Sequence, residues 1–151
     1  MELHTDGIFR HEFTVTQSEI DGNGHVNNVV YVQWMQDVAI QHAAACVSES
    51  ILREVGGAWV ARSHFIEYLR PAFAGDQIQA STWIANLSRV RARRRYQFMR
   101  LADGVVLAKG ETDWVFINPE TGRPRSIPEE IKAAFIVVPD EGNSSTNDEL
   151  L

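Results

Sequence analysis

The chain of 151 residues contains a single cysteine, Cys46. One thiol excludes an internal disulfide and a metal site built from cysteines, and it favours a reduced, cytoplasmic location. Cys46 lies on the apolar side of a predicted helix and is interpreted as a small core residue. No two histidines stand four residues apart with an acid on a predicted helix, so we expect no metal site.

Long apolar runs and an excess of positive charge are also missing. No run approaches the roughly 20 residues of a membrane-spanning helix, and the first residues lack the pattern of a signal peptide. The formal net charge of -6 argues against binding to nucleic acid or to a membrane surface. We expect one domain over residues 1–138, and a polar, flexible tail over residues 139–151.

The hydrophobic periodicity changes along the chain between the periods of helices and of strands. Apolar residues recur at steps of three and four over residues 28–46, which predicts a helix, and Ser126 and Pro128 are the predicted cap and first turn of a second, short helix. Alternating patterns predict strands at residues 9–15, 59–68, 77–87, 93–101 and 105–116, with a short helix at 126–134. The short connections between consecutive strands predict antiparallel pairing. An α+β domain, with one sheet curled around one long helix, satisfies this order.

The stretch EIDGNGHVNN, residues 19–28, places ionisable and amide side chains on a turn that leads into the long helix. The first turn of a helix presents unpaired N–H groups and positive potential, which would polarise a carbonyl group. Asp21 would act as general base towards water or attack the carbonyl, with Asn23 and His25 orienting the acid or the water. The alternative is that Asp21 and Asn23 only build the turn.

Three segments resemble hotdog-fold thioesterases of the 4-hydroxybenzoyl-CoA thioesterase-like family. DGNGHVNNVVYVQWMQDVA is similar to the family pattern D-x-x-G-H-V-N-N-x-x-Y at the start of its central helix. IEYLRPAFAGDQIQAST and GETDWVFINPETGRPRSIPEEI resemble the family's strand-turn-strand and its closing segment. The spacing of Asp21, Asn23 and His25 also resembles the D-x-N-x-H motif of plant acyl-carrier-protein thioesterases. The resemblance covers roughly residues 8–136 and implies a single hotdog domain that hydrolyses an acyl thioester.

The resemblance also implies roles by position. Asp21 stands where the family has its catalytic carboxylate, and Asn28, or its neighbour Val29, stands where a backbone N–H holds the thioester carbonyl. Tyr31 belongs to the same motif and is a candidate wall of the acyl pocket. Glu67 is the nearest match to a downstream polar residue of the plant enzymes.

The segment SRVRARRRY contains five arginines. In an extended strand Arg89, Arg91, Arg93 and Arg95 share one face, which is either a solvated outer face or a binding surface for phosphate. In relatives that use coenzyme A, basic residues at this position contact its phosphates, and Arg89 and Arg91 are the best matches. The same arginines would also suit the acidic surface of an acyl carrier protein.

The implied substrate is therefore an acyl-CoA or acyl-carrier-protein thioester, with water as the second substrate and no cofactor. Because family sites lie between two helix starts, a homodimer or homotetramer is implied. Two alternatives are a non-catalytic acyl-thioester-binding domain, which would be expected to lack the carboxylate of Asp21, and an enoyl-thioester hydratase. The hydratase motif D-x-N-P-x-H has proline where this chain has Gly24.

Overall fold

A computed structural model describes residues 5–140 of the chain. The strands are β1 (Phe9–Thr14), β2 (Ala58–Tyr68), β3 (Gln77–Leu87), β4 (Arg91–Arg100) and β5 (Val106–Ile117). The helices are α1 (Asn28–Cys46), α2 (Glu49–Val55) and α3 (Glu129–Ala133), and a 3-10 turn at Gln17–Glu19 precedes α1. No helix within residues 5–140 is long and apolar enough to cross a membrane.

The five strands form one antiparallel sheet in the order β1-β3-β4-β5-β2. The strand β2 is an edge, because it pairs with β5 on one side only. Helix α1 lies against one face of the sheet and buries six residues there: Tyr31, Trp34, Met35, Val38, Ala39 and His42. The predicted α+β order, with one long helix on a curved antiparallel sheet, is confirmed.

Close packing between α1 and β5 depends on a glycine. A Cβ atom on Gly110 would lie 3.0 Å from the sulfur of Met35, so a larger residue would push the helix away from the sheet. Towards the start of α1, the ring of Trp34 lies 4.9 Å from the ring of Phe13 and 5.8 Å from that of Phe98, measured between centroids. The helix is therefore held along its first half by aromatic contacts to β1 and β4.

Observed element bounds agree closely with those predicted. Helix α1 and strand β3 begin and end at the predicted residues, and the other strand ends differ by two residues or fewer. Helix α2 was not predicted; Ser48 caps it by accepting from the N–H of Ile51 at 3.3 Å, and Gly56 ends it with a φ of 68°. The cap predicted at Ser126 is wrong, because Pro128 stands at the N-cap of α3 while the Ser126 hydroxyl accepts a bond from Arg89.

The predicted tail falls mostly on residues 141–151, which lie outside the described part of the chain. Before it, the N–H of Val138 donates to the carbonyl of Ile84 at 2.8 Å. Asp140 accepts two bonds from the guanidinium of Arg95, at 2.9 and 2.7 Å. The segment that leads to the tail is thus bonded to β3 and β4 up to Asp140, and the division into domain and tail stays a prediction.

Arg94 points to the opposite side of β4 from its arginine neighbours. Its side chain is buried against α1, where Nη1 donates to Nδ1 of His42 at 2.8 Å and to the hydroxyl of Thr82 at 3.0 Å. Burial, and secondarily the adjacent guanidinium, lower the pKa of His42 to about 3. A neutral His42 whose Nδ1 accepts from arginine carries its proton on Nε2.

We expect His42 to make the fold less stable in mild acid. The unfolded chain binds a proton at His42 near pH 6.5 and the folded chain does not, so the free energy of unfolding falls as the pH drops below that value. Between pH 6.5 and 5 the loss from this residue is about 1.5 kcal/mol. Denaturant titrations across this range should show a shallower pH dependence in His42→Gln, which keeps an acceptor for Arg94. His11→Gln, on an exposed position of β1, should retain the wild-type dependence, and an unaltered dependence in His42→Gln would contradict the assignment.

Candidate active site at the start of helix α1

Residues 20–26 form a small hairpin directly before α1. Ile20 and Val26 make an antiparallel bridge at its base, and the N–H of Val26 donates to the carbonyl of Ala72 at 2.9 Å. Gly24 closes the turn with a φ of 86°, a backbone conformation that favours glycine. The hairpin is thereby attached on one side to α1 and on the other to the loop between β2 and β3.

Asp21 lies at the turn of this hairpin and is half-buried. Its N–H donates to the carbonyl of His25 at 2.9 Å, and its Oδ1 accepts from the N–H of Asn23 at 2.8 Å. The residue therefore builds the turn, as an aspartate at such a position commonly does. Its second oxygen, Oδ2, accepts no hydrogen bond from residues 5–140, so one carboxylate oxygen stays open for chemistry.

The cap of α1 leaves one backbone donor open. Asn27 is the N-cap residue, and its Oδ1 accepts from the N–H of Val29 at 3.0 Å while its carbonyl accepts from Val30 at 2.9 Å. The N–H of Asn28 makes no hydrogen bond to any group within residues 5–140. Of the two predicted candidates, Asn28 rather than Val29 thus has a free donor at the positive end of the helix.

Aromatic and aliphatic side chains surround this donor. The hydroxyl of Tyr68 donates to the carbonyl of Asn28 at 2.9 Å, and its ring packs edge-on against Tyr31 with centroids 5.4 Å apart. Burial, and secondarily Tyr68, raise the pKa of Tyr31 to about 12, so Tyr31 stays protonated at neutral pH. Val29 and Phe73 expose 72% and 46% of their surface here, which gives the helix start an apolar rim.

Tyr68, and not its neighbour Glu67, lies at the start of α1. Side chains alternate along β2, so Glu67 points to the opposite face of the sheet, where it stands across from Lys109 of β5. Within one chain Glu67 and Asp21 do not converge, and a role for Glu67 stays a prediction. In the sequence, the tyrosine in IEY was the signal that could have indicated Tyr68. Only the register of β2 with β5 decides which of the two neighbours faces the helix start.

Arg89 and Arg91 lie at the other end of α1 from Asp21. Phe98 of β4 packs on Tyr31 near the helix start, whereas Arg94 bonds to His42 near the helix end. The strand therefore runs antiparallel to the helix, and its first residue, Arg91, lies beyond the position of Arg94. The structure does not bring the two arginines to Asp21 within one chain.

The predicted arginine face is largely engaged in ion pairs. Arg91 lies 3.5 Å from Asp113, and Arg93 and Arg95 lie 3.8 and 3.2 Å from Glu111. Such pairs are typical of a solvated outer face of a sheet. Arg89 instead donates to the hydroxyl of Ser126 at 2.9 Å and pairs with no acid within residues 5–140. Arg89 is thus the member of the run with a cation available for an anionic ligand.

A cavity of about 70 Å³ lies near the end of α1, lined by residues that include Phe9, His42, Cys46 and Ile136. It is separated from Asp21 by most of the helix length. We therefore do not assign it to the reacting part of a substrate.

Comparison with known proteins identifies the family. Residues 15–135 match the sequence model of the thioesterase-like superfamily. The chain belongs to the thioesterase-like superfamily. Structures of similar fold include a 1,4-dihydroxy-2-naphthoyl-CoA thioesterase from Synechocystis, with a TM-score of 0.76 and 22% identity over 84% of this chain and 94% of that one. The predicted hotdog fold is thereby confirmed.

Thioesterases from plants are also similar to this chain. An oleoyl-acyl carrier protein thioesterase of Arabidopsis thaliana is 26% identical over 95% of this chain and 44% of its own length. The 12:0-ACP thioesterase of Umbellularia californica has a TM-score of 0.79 at 21% identity, over 91% of this chain and 54% of that chain. The chain thus spans less than half the length of the Arabidopsis relative and about half of the Umbellularia structure.

We expect Asn27→Ala to destabilise the protein by about 1 kcal/mol, because it removes the acceptor for the N–H of Val29 at the helix cap. Chemical denaturation of the variant beside wild type measures this difference. Asn23→Ala is the matched control, since the exposed Asn23 side chain makes no hydrogen bond within residues 5–140. An equal loss in both variants would show that the cap at Asn27 has no special importance.

Proposed function

We propose that this member of the thioesterase-like superfamily hydrolyses an acyl thioester to a free acid and a thiol. The proposal is carried by two groups that lie at the same helix start. They are the free N–H of Asn28 and the open carboxylate oxygen of Asp21. A donor at the positive end of a helix suits the oxygen of a polarised carbonyl. A carboxylate on the adjoining hairpin suits the activation of water.

In the proposed reaction the thioester carbonyl oxygen accepts a hydrogen bond from Asn28. Asp21 removes a proton from water as the water oxygen bonds to the carbonyl carbon, and the carbon–sulfur bond then breaks to release the thiolate. Alternatively Asp21 bonds to that carbon itself and the thiolate leaves as the carbon–sulfur bond breaks, after which water hydrolyses the resulting anhydride to the free acid and restores the Asp21 carboxylate. Because a thiolate leaves readily, no second residue is needed to protonate it. Asn23 and His25, at the same turn, are proposed to orient Asp21 or the water.

The relatives support a thioester substrate and leave two carriers open. The plant proteins are thioesterases of acyl carrier proteins, and the Synechocystis protein is a thioesterase of a CoA ester. For this chain we propose acyl-CoA or an acyl-carrier-protein thioester as substrate, with Arg89 and Arg91 as contacts for phosphate. Val29 and Tyr31 would contact the acyl group near the carbonyl. A cytoplasmic location stays a prediction.

The edge strand supports a homodimer. Strand β2 is 11 residues long, and it exposes Val60, Phe65 and Tyr68 by 40%, 61% and 46%. A long edge strand with exposed apolar residues is a site for pairing with another chain. We propose that β2 pairs with β2 of a second copy, which would bring the two helix starts and their apolar rims to a shared interface. A measurement of the mass in solution also shows whether two such dimers join as a tetramer.

We expect Asp21→Asn to lower kcat by roughly 10²- to 10⁴-fold, because the amide keeps the shape of the turn and cannot take a proton from water. Thiol release is measured from aromatic and straight-chain acyl-CoAs and from acyl carrier protein esters. Asp37→Asn is the matched control, since Asp37 is exposed on α1 and bonds only to Gln33 among the described residues.

Retention of more than about a tenth of the wild-type rate in Asp21→Asn would be incompatible with catalysis by this carboxylate. Binding of a non-hydrolysable thioether analogue of acyl-CoA distinguishes the alternatives. Binding without turnover of any ester by wild type would favour the non-catalytic thioester-binding domain.

For the dimer, we expect wild type to have at least twice the mass of one chain in light scattering after size exclusion. Phe65→Glu should shift the protein towards the monomer, because it places a charge at an exposed position of the edge strand β2. Ile51→Glu is the control, since Ile51 is also exposed but lies on helix α2, outside the edge strand. A monomeric wild type, or equal dissociation by both substitutions, would contradict pairing through β2.

A further inference from the structure

Glu19 lies two residues before Asp21, and its carboxylate makes three hydrogen bonds that the proposed reaction does not require. Oε2 accepts from Nε1–H of Trp34 at 2.9 Å. Oε1 accepts from the backbone N–H of Thr16 at 2.9 Å and from the Thr16 hydroxyl at 3.1 Å. The acid thus joins the 3-10 turn before the hairpin to a side chain in the second turn of α1.

The backbone of Glu19 closes the base of the hairpin. Its carbonyl accepts from the N–H of Asn27, the N-cap residue of α1, at 2.9 Å, and its N–H donates to the carbonyl of Thr16 at 3.1 Å. Through its backbone and side chain, this residue contacts the turn before the hairpin, the cap of the helix and the helix interior.

Trp34 provides a rigid attachment point for the acid. The residue is 5% exposed, and its ring lies 4.9 Å from Phe13, 4.7 Å from Tyr31 and 5.8 Å from Phe98, measured between centroids. Three aromatic neighbours fix the orientation of the indole. The direction of its N–H group is therefore set by the core, independently of the hairpin.

Building on the proposed function, we propose that Glu19 is a positioning residue for Asp21. Its carboxylate anchors the hairpin to α1 and so fixes the Asp21 carboxylate relative to the N–H of Asn28. Helix α1 carries both Trp34 and Asn28, so the anchor and the carbonyl-binding donor belong to one rigid element. A displacement of a reacting group by about 1 Å costs on the order of 100-fold in rate.

The hairpin depends on this anchor because the tip of its turn has little packing of its own. Gly22, Asn23 and Gly24 are exposed, and a Cβ atom added to either glycine would contact nothing within 4 Å. The remaining attachments of the hairpin are the backbone bonds at its base, the bond from Val26 to Ala72, and the packing of Val26 and Ile20 with the core. A charged acceptor strengthens the side-chain attachment, since hydrogen bonds to a carboxylate are stronger than those to neutral groups.

A purely structural role for Glu19 is the alternative. A buried indole N–H needs an acceptor, and the bonds to Thr16 complete a capping box on the 3-10 turn. Two variants separate the roles. Glu19→Gln keeps the size of the side chain but replaces one acceptor with a donor, so it cannot serve Thr16 and Trp34 together. Trp34→Phe removes the indole N–H together with part of the buried ring volume, and retains one aromatic ring in the core.

The kinetic test uses both variants in the wild-type and Asp21→Asn backgrounds, at a temperature at which every variant is folded. We expect each to lower kcat by about 10- to 100-fold with KM changed by less than about threefold, and to have no further effect on the residual rate of Asp21→Asn. A general loss of structure would lower the rate in both backgrounds. Glu12→Gln, on an exposed acid of β1, should behave as wild type.

Hydrogen exchange gives a readout that does not depend on activity. The amides of Asp21, Gly24 and Val26, which are bonded within or beside the hairpin, should exchange about tenfold faster or more in both variants. The amides of Tyr96 and Phe98 in β4 should exchange at the wild-type rate.

Two results would overturn the positioning role: unchanged exchange in the hairpin, or a fall in kcat of the same size in the Asp21→Asn background. A wild type that hydrolyses no thioester would overturn the proposed function instead. In that case the exchange rates alone decide whether Glu19 anchors the hairpin.

Discussion

The packing of α1 on one face of the sheet is the contact on which the rest of the structure depends. Each large apolar side chain buried there contributes about 1.5–3 kcal/mol, and Gly110 allows Met35 to approach β5 closely. Because α1 is held along its first half, its free N–H at Asn28 has a fixed direction. The hairpin that carries Asp21 then needs only a few bonds to be placed correctly.

Much of this fold could be predicted because its periodic elements are long. The 19 residues of α1 and the 11 of β3 extend over several repeats, and both begin and end where their patterns do. Helix α2 has only seven residues, which is too short for a period of 3.6 to show. Its signals were local, namely the cap at Ser48 and the left-handed Gly56.

The candidate site was predictable where its residues are close in sequence. Asp21, Asn23, His25 and Asn28 belong to one hairpin and one helix start, so a motif locates them together. Choices that depend on register or on hydrogen bonds were beyond the sequence. Whether Val29 keeps a free N–H depends on which asparagine caps α1, and whether Glu67 or Tyr68 faces the helix depends on how β2 aligns with β5.

The burial of Arg94 could not be predicted from the sequence either. Alternation along β4 separates it from Arg93 and Arg95, but nothing in a run of arginines indicates that one of them is buried. Its partners, His42 and Thr82, come from α1 and β3, far away in sequence. The bonds that build the turn at Asp21, by contrast, join residues that are close in sequence. They leave one carboxylate oxygen open. Turn formation and a catalytic role are therefore compatible in this residue.

The separation of Arg89 from Asp21 has a consequence for how subunits would cooperate. Helix α1 is about 28 Å long at 1.5 Å per residue, so a carrier held at one end of a chain lies a helix length from the carboxylate of that chain. If a second copy placed its own arginine end beside this carboxylate, one subunit would hold the carrier while its partner cleaved the ester. A copy without the carboxylate of Asp21 could then still hold the carrier for an intact partner in a mixed dimer. A dimer of two such copies would not cleave the ester.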